Sequence, residues 1–379
     1  MTLQQIAGAG LMLLFLADIF LTVLYARAGT GLLAPRWNRL VWAGLKGLSA
    51  FSGRRRGSVL SLAGPLIVIL LIAFWAFGLT LGAALIVQPE LGTSVRPSGG
   101  EASRDFVTAL LVAGNSLSIV GGGDYSPHTA GTRALFLLNS LIGASVLSLV
   151  LSYLVQVYSA LRERNALALT VDLMTDGTGD AAEMLARLGP DGDFSSATSE
   201  LGNLVEPLAA TKEAHHFYPL LFYFRFDDPL YSVSRLTFVL LDLTTLIDTT
   251  LDRRGDAALV RSAPVTALRR GARLLLETLD RNFPTASDRG ADAAQAPRPD
   301  ESYACAVGTL RRAGIEVRPD AGRYADQRSR WEPLVRRVAP ALTYRMDEID
   351  RRRSRSGAAP DRRREPDART PHPADTHAG

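Results

Sequence analysis

The chain has 379 residues, 47% hydrophobic and 21% charged, with a formal net charge of +4. Residues 1–161 hold 10 Lys/Arg and 5 Asp/Glu, leaving 32 basic and 33 acidic residues for 162–379. The basic pI, about 9.4, therefore comes from the first part of the chain and is not a nucleic-acid-binding patch. The single cysteine, Cys305, excludes an intrachain disulfide and suits a reducing compartment.

Residues 6–25 form an apolar run broken only by Asp18. A bilayer core about 30 Å thick takes roughly 20 apolar residues of helix. The run has no basic n-region and no small-residue cleavage site before a polar start, so a retained helix is expected rather than a signal peptide. A carboxylate near a helix centre costs a few kcal/mol on insertion scales, which makes Asp18 a candidate polar site within the membrane. The expected role is structural, a hydrogen bond to another helix. Arg27, Arg36, Arg39, Lys46, Arg54, Arg55 and Arg56 follow with no acid from 26 to 57. By the positive-inside tendency this loop faces the cytoplasm, with the N-terminus outside and the C-terminal region inside. Within it, 35–50 places Trp37, Leu40, Val41, Leu45 and Leu48 at helical spacing. It reads either as an amphipathic helix at the membrane surface, with Trp37 and Trp42 among the headgroups, or as a basic linker.

Residues 58–87 carry no charge and form a second span; 134–161 are equally uncharged and form a third. Between them, Phe106 to Leu117 is apolar but too short to cross, the size of a re-entrant helix. Ser103 can cap it, and Asp105 in its first turn suits the helix dipole. Ser118-Ile119-Val120-Gly121-Gly122-Gly123-Asp124 comes next.

An uncharged span, a short re-entrant helix, a glycine-rich segment ending in Gly-Asp and another span together resemble the potassium channel pore domain, over residues 58 to about 161. The family filter Thr-Val-Gly-Tyr-Gly-Asp falls on Ile119 to Asp124 and matches at Val120, Gly121, Gly123 and Asp124. Ser118 supplies a hydroxyl where the family commonly has Thr, and Pro127 follows at its common place. The resemblance implies a filter of backbone carbonyls from four subunits, in which they replace the water around an ion, with Gly143 at the inner-helix hinge position. Glycine tolerates the backbone conformations such a filter needs. For Gly143 the rival is close helix packing. Ile119 in place of threonine and Gly122 in place of tyrosine depart from the pattern and imply weaker potassium selectivity.

Beyond the third span, 180–189, 198–214, 233–252, 263–281 and 328–350 are amphipathic. The 233–252 stretch carries Arg235, Asp242 and Asp248, so a fourth span is not expected there. Residues 287–300 read as a flexible loop, and the chain from Arg351 as disordered. TDGTGD, with Gly177, Gly179 and Asp180, reads as a turn. His215 and His216 are adjacent and make a poor metal pair. The aromatic stretch from Phe217 to Tyr231 packs on the membrane face or within the helical bundle.

These readings give an all-α membrane protein with four parts: residues 1–57, an N-terminal span and basic segment; 58–161, a pore domain; 162–350, a helical cytosolic domain; and 351–379, a disordered tail. The expected function is a homotetrameric bacterial inner-membrane channel passing monovalent cations, K+ foremost, in contact with membrane lipid. No cofactor, metal, nucleic acid or enzymatic activity is expected. The alternative is a non-conducting channel-like scaffold or sensor.

Overall fold

The computed structural model describes residues 2–25, 31–51, 56–118, 123–282 and 299–352. Helix α1 (Leu3–Ile19) starts with a Thr2–Gln5 capping box and continues as a π-helical turn, Phe20–Leu24. Helix α2 (Ala34–Ala50) and the short α3 (Arg56–Ser61) lead into α4 (Ala63–Val87). Helix α5 (Phe106–Leu117) is followed by α6 (Ala130–Met174), an unbroken helix of 45 residues. Among the described residues three helices, beginning at Leu3, Ala63 and Ala130, are long and apolar enough to cross a membrane. At 1.5 Å per residue α6 is about 67 Å long, more than twice a bilayer core. Its second half therefore extends into the C-terminal domain.

Helices α1 and α4 pack through small residues. A Cβ on Gly82 would lie 2.6 Å from Met12 Cγ, and one on Gly78 would strike the Phe15 ring at 2.2 Å. Gly78 and Gly82 form a GxxxG face, which lets two backbones approach where lipid offers no hydrophobic drive for helices to associate. At one end of this pair Gln5 Nε2 donates to Glu90 Oε1 at 2.9 Å.

Helix α2 has an apolar side, but its two tryptophans pack on protein rather than at headgroups. Trp37 stacks on Phe74 of α4, with ring centroids 4.4 Å apart, and Trp42 is buried against Tyr223. Leu40 and Leu48 stay exposed.

The C-terminal domain is helical. It comprises α7 (Ala181–Leu188), α8 (Ala197–Gly202), α9 (Val205–Phe217), α10 (Val233–Thr250), α11 (Ala257–Val260), α12 (Ala263–Asn282), α13 (Pro299–Arg312), α14 (Ala321–Ser329), α15 (Glu332–Ala341) and α16 (Met346–Ile349). Helix α10 is its axis, with every residue from Val233 to Thr250 buried. Each charge on α10 is paired. Arg235 meets Asp172 of α6 at 2.9 Å, Asp242 accepts from Tyr324 Oη at 2.6 Å and from Arg352, and Asp248 meets Arg253 and Arg323.

Several expectations change here. The 198–214 stretch is split between α8 and α9, and 328–350 among the end of α14, α15 and α16, while α13 and most of α14 had no counterpart in the periodicity. Pro299 and Asp300, expected in a loop, open α13; 283–298 lie outside the described residues. Arg352, expected at the start of a disordered tail, is 5% exposed and bonded to Asp180 and Asp242. Residues 353–379 lie outside the described residues. The TDGTGD segment is a turn with Gly177 and Gly179 at positive φ, and Asp180 caps α7. The aromatic stretch packs inward: Leu220 to Phe224 are buried, and Phe224 sits against Gly64 at the base of α4.

Candidate ion-conduction site

The short helix α5 is held on three sides. Asp105 is its N-cap, accepting from Thr108 N at 2.6 Å, while Ser103, expected as the cap, donates its hydroxyl to Asp105 at 2.5 Å. The Ser103 hydroxyl and the Thr108 amide hold the Asp105 carboxyl below its ordinary range. Toward α4, Ala109, Val112 and Ala113 are buried in a cluster with Ala83, Ala84 and Val87. Toward α6, the buried Asn139 donates from Nδ2 to Ser116 Oγ at 3.0 Å.

Ser118 ends α5 as its C-cap, in an extended conformation. Ile119, Val120, Gly121 and Gly122 lie outside the described residues. The chain reappears at Gly123, where a Cβ would come within 2.7 Å of Asn115 Nδ2. Asp124 is exposed, and its carbonyl accepts from Ser98 N at 2.5 Å. Strand β1 (Val95–Pro97) then pairs antiparallel with β2 (Tyr125–Pro127). Tyr125 Oη accepts from Ser103 N at 2.9 Å, which fastens the end of the glycine-rich segment to the start of α5. Both ends of that segment are thus anchored to the same short helix.

Gly143 lies inside the uninterrupted α6, where a Cβ would meet the Leu117 carbonyl oxygen at 1.8 Å. Here its lack of a side chain lets the inner helix close onto the end of α5.

Asp18 is fully buried, and all its partners are donors. Trp75 Nε1–H donates to Oδ2 at 2.8 Å, Leu33 N to Oδ1 at 2.7 Å, and Ala34 N to both oxygens at 3.2 Å. The carboxylate therefore joins α1 to α4 and also caps the N-terminus of α2, where the orphan amides and the helix dipole favour negative charge. A tryptophan in the middle of a charge-free span needs an acceptor for its N–H. That signal in the sequence could have paired Trp75 with Asp18. The capping of α2 had no comparable local sign.

Residues 66–160 match the model of a family described as ion channel. The matched segment runs from α4 through α5 to the body of α6. The membrane protein YdjJ of Bacillus subtilis (strain 168) is 24% identical over 227 residues, which are 58% of this chain and 62% of YdjJ. The chain thus spans less than two thirds of the length of this curated relative. No solved structure matches the chain.

The channel segment leaves one flank uncovered. Val107 and Leu111 of α5 are 66% and 64% exposed, and Leu138 and Val155 of α6 are 56% and 67% exposed. Beside α5, an open cavity of about 570 Å³ is lined by Thr108, Asn115, Ser118, Gly123 and Asp124 among others.

Proposed function

We propose that four copies of this chain surround a common axis and form a passive pore for monovalent cations, with K+ the physiological ion. The observation that carries this reading is the placement of α5. It is too short to cross a bilayer, yet it lies between two spans and delivers the chain at Ser118 to a glycine-rich segment that ends at Asp124. One such loop supplies a quarter of a carbonyl ring, so the ring needs three more copies. The uncovered flank of α5 and α6 supports the same assembly.

In this reading Ser118 to Asp124 form the filter. Gly122 cannot brace the ring as the family's tyrosine does, and Ile119 offers no hydroxyl, so discrimination of K+ from Na+ is weak. The same two departures favour the second reading, a non-conducting scaffold or sensor that kept the channel fold. The membrane is the inner membrane of a bacterium, with the N-terminus outside and the C-terminal domain in the cytosol for assembly or regulation rather than catalysis. The dense basic charge from Arg27 to Arg56 supports this orientation.

A cation flux assay on purified protein in liposomes tests the proposal. Flux of K+ and of Na+ by a tetramer is expected, and intact tetramers without flux would favour the scaffold. Thiol labelling tests the orientation. The exposed Cys305 should react only from the inside, and Ser98→Cys in a Cys305→Ser background only from the outside.

A further inference from the structure

Where the first span, α2 and the C-terminal domain meet, the fold leaves an open cavity of about 230 Å³, with Arg39 and Arg281 exposed at its rim. Its polar lining comes from every element at that junction: Thr22 of the π-helical turn, Asn38 and Arg39 of α2, Tyr153 of α6, and Tyr223 and Arg281 of the C-terminal domain. Among the described residues two arginines line it and no carboxylate does. Arg39 Nε donates to the Pro35 carbonyl and Arg281 Nε to the Glu277 carbonyl, each at 3.2 Å. Among the described residues neither guanidinium pairs with a carboxylate. Arg39 lies close enough to Tyr223 for its charge to oppose the burial that raises the phenol to about 12.

Polar atoms without partners among the described residues lie beside the cavity. Asn38 is 7% exposed with Oδ1 unbonded, and Thr22 Oγ1 is buried without a partner among the described residues. Buried polar groups ordinarily have a partner. The Asn38 NH2, unlike its Oδ1, is not among the buried unbonded atoms and can donate. Two guanidiniums and the Asn38 NH2, with no competing acid among the described lining residues, specify an anion. The planar fork of arginine matches phosphate in particular.

The setting identifies where that phosphate comes from. Helix α2 carries Arg36, Arg39 and Lys46 and leaves Leu40 and Leu48 66% and 65% exposed, the pattern of a helix at the headgroup level of an anionic leaflet. The volume is below the about 300–1,000 Å³ of sites that enclose drug-sized ligands. It suits a headgroup better than a nucleotide. We propose that this cavity takes the phosphate of an anionic lipid headgroup, which ties the C-terminal domain to the membrane through Arg39 and Arg281.

Native mass spectrometry of the full-length protein, delipidated and then supplied with phosphatidylglycerol or phosphatidylcholine, reads the site without measuring current. Its outcome is therefore independent of whether the pore conducts. Wild type should retain phosphatidylglycerol about tenfold or more over phosphatidylcholine. Arg39→Gln/Arg281→Gln should fall to near parity. Arg36→Gln/Lys46→Gln removes equal charge from the same surface but should keep most of the preference. Equal losses in the two double variants would mean diffuse surface electrostatics and overturn the site. Displacement of the lipid by millimolar glycerol phosphate or inorganic phosphate would overturn the lipid source. A photoreactive phosphatidylglycerol gives a readout that needs no variant. It should attach to peptides containing residues 31–39, 219–223 or 281–282, and attachment only elsewhere would refute the proposal.

Discussion

Helices α4 and α10 are both largely apolar runs packed against their neighbours, yet they are held in opposite ways. Helix α4 has no charge between Ala63 and Val87 and meets α1 through Gly78 and Gly82, with backbone close to side chain. Helix α10 is buried along its whole length and carries Arg235, Asp242 and Asp248, each paired with a side chain from another part of the C-terminal domain or from α6. In lipid, apolar side chains gain little by leaving their solvent for each other, so close packing and a few hydrogen bonds decide association. In water, apolar burial supplies the drive, and buried charges survive only with complete partners. The ionic centre of the C-terminal domain is such a complete set. Arg328 is fully buried against Glu332 and Asp350, and Arg352 against Asp180 and Asp242.

The largest expected effect falls on that ionic centre. Asp242→Ala strips a buried acceptor from Arg352 and Tyr324 and should destabilise the C-terminal domain by about 3–5 kcal/mol. Thermal unfolding of the purified protein measures it. A melting temperature within a few degrees of wild type would show that the centre relaxes or admits water, and the contrast between the two regions would weaken.

Within the membrane the corresponding test is Asp18→Leu, which leaves the Trp75 indole and the amides of Leu33 and Ala34 without their acceptor. The expected loss is about 2–3 kcal/mol, seen as reduced folded yield and earlier melting in detergent. Asp18→Asn keeps one acceptor oxygen and should fall between Leu and wild type. Wild-type behaviour of the Leu variant would mean that α2 is positioned by Trp37 and Trp42 alone.

The third test exploits His215, buried in α9. Its Nδ1–H donates to the Thr211 carbonyl at 2.8 Å, and burial, reinforced by Arg164, lowers the imidazole to about 3. Because the folded pKa lies below the unfolded value near 6.5, the unfolded chain binds the extra proton first. Stability contributed by the neutral ring is complete above about pH 6.5 and is lost as pH falls toward 3. At pH 5 the loss should be about 2 kcal/mol. The difference in stability between pH 7 and pH 5 should shrink by that amount in His215→Gln, and an unchanged difference would show that the ring is solvated.

The smallest effect is Gly143→Ala, where the new methyl meets the Leu117 carbonyl. Overpacking should cost about 1 kcal/mol or more. If stability is unchanged while channel opening shifts, the hinge role implied by the family resemblance replaces the packing role.

Much of the architecture was legible along the chain. The limits of α5 at Phe106 and Leu117 follow from an apolar run too short to span, and the three helices of membrane-crossing length from the length of their apolar runs. Asp18 was legible as a structural group, because an unpaired carboxylate at that depth is costly. Helices α13 and α14 were not, since their apolar residues are interleaved with Arg, Asp and Gly, and only Tyr303, Ala306, Val307, Leu310 and Tyr324 reach the hydrophobic core. Arg352 was misassigned for the same kind of reason. Its surroundings in sequence are those of a solvated tail, while its partners Asp180 and Asp242 are 172 and 110 residues away.

By itself, then, the sequence determined an all-α membrane protein with three helices of membrane-crossing length and a shorter apolar helix between the last two, because bilayer thickness and backbone hydrogen bonding impose lengths and compositions that can be counted residue by residue. Only the tertiary structure decided what each polar or small residue is for: Asp18 as the cap of α2, Gly143 as the seat of Leu117, Arg352 as part of a core. Those roles depend on which groups lie within about 3 Å of one another, and residues far apart in the chain carry no local mark of the partner they will meet.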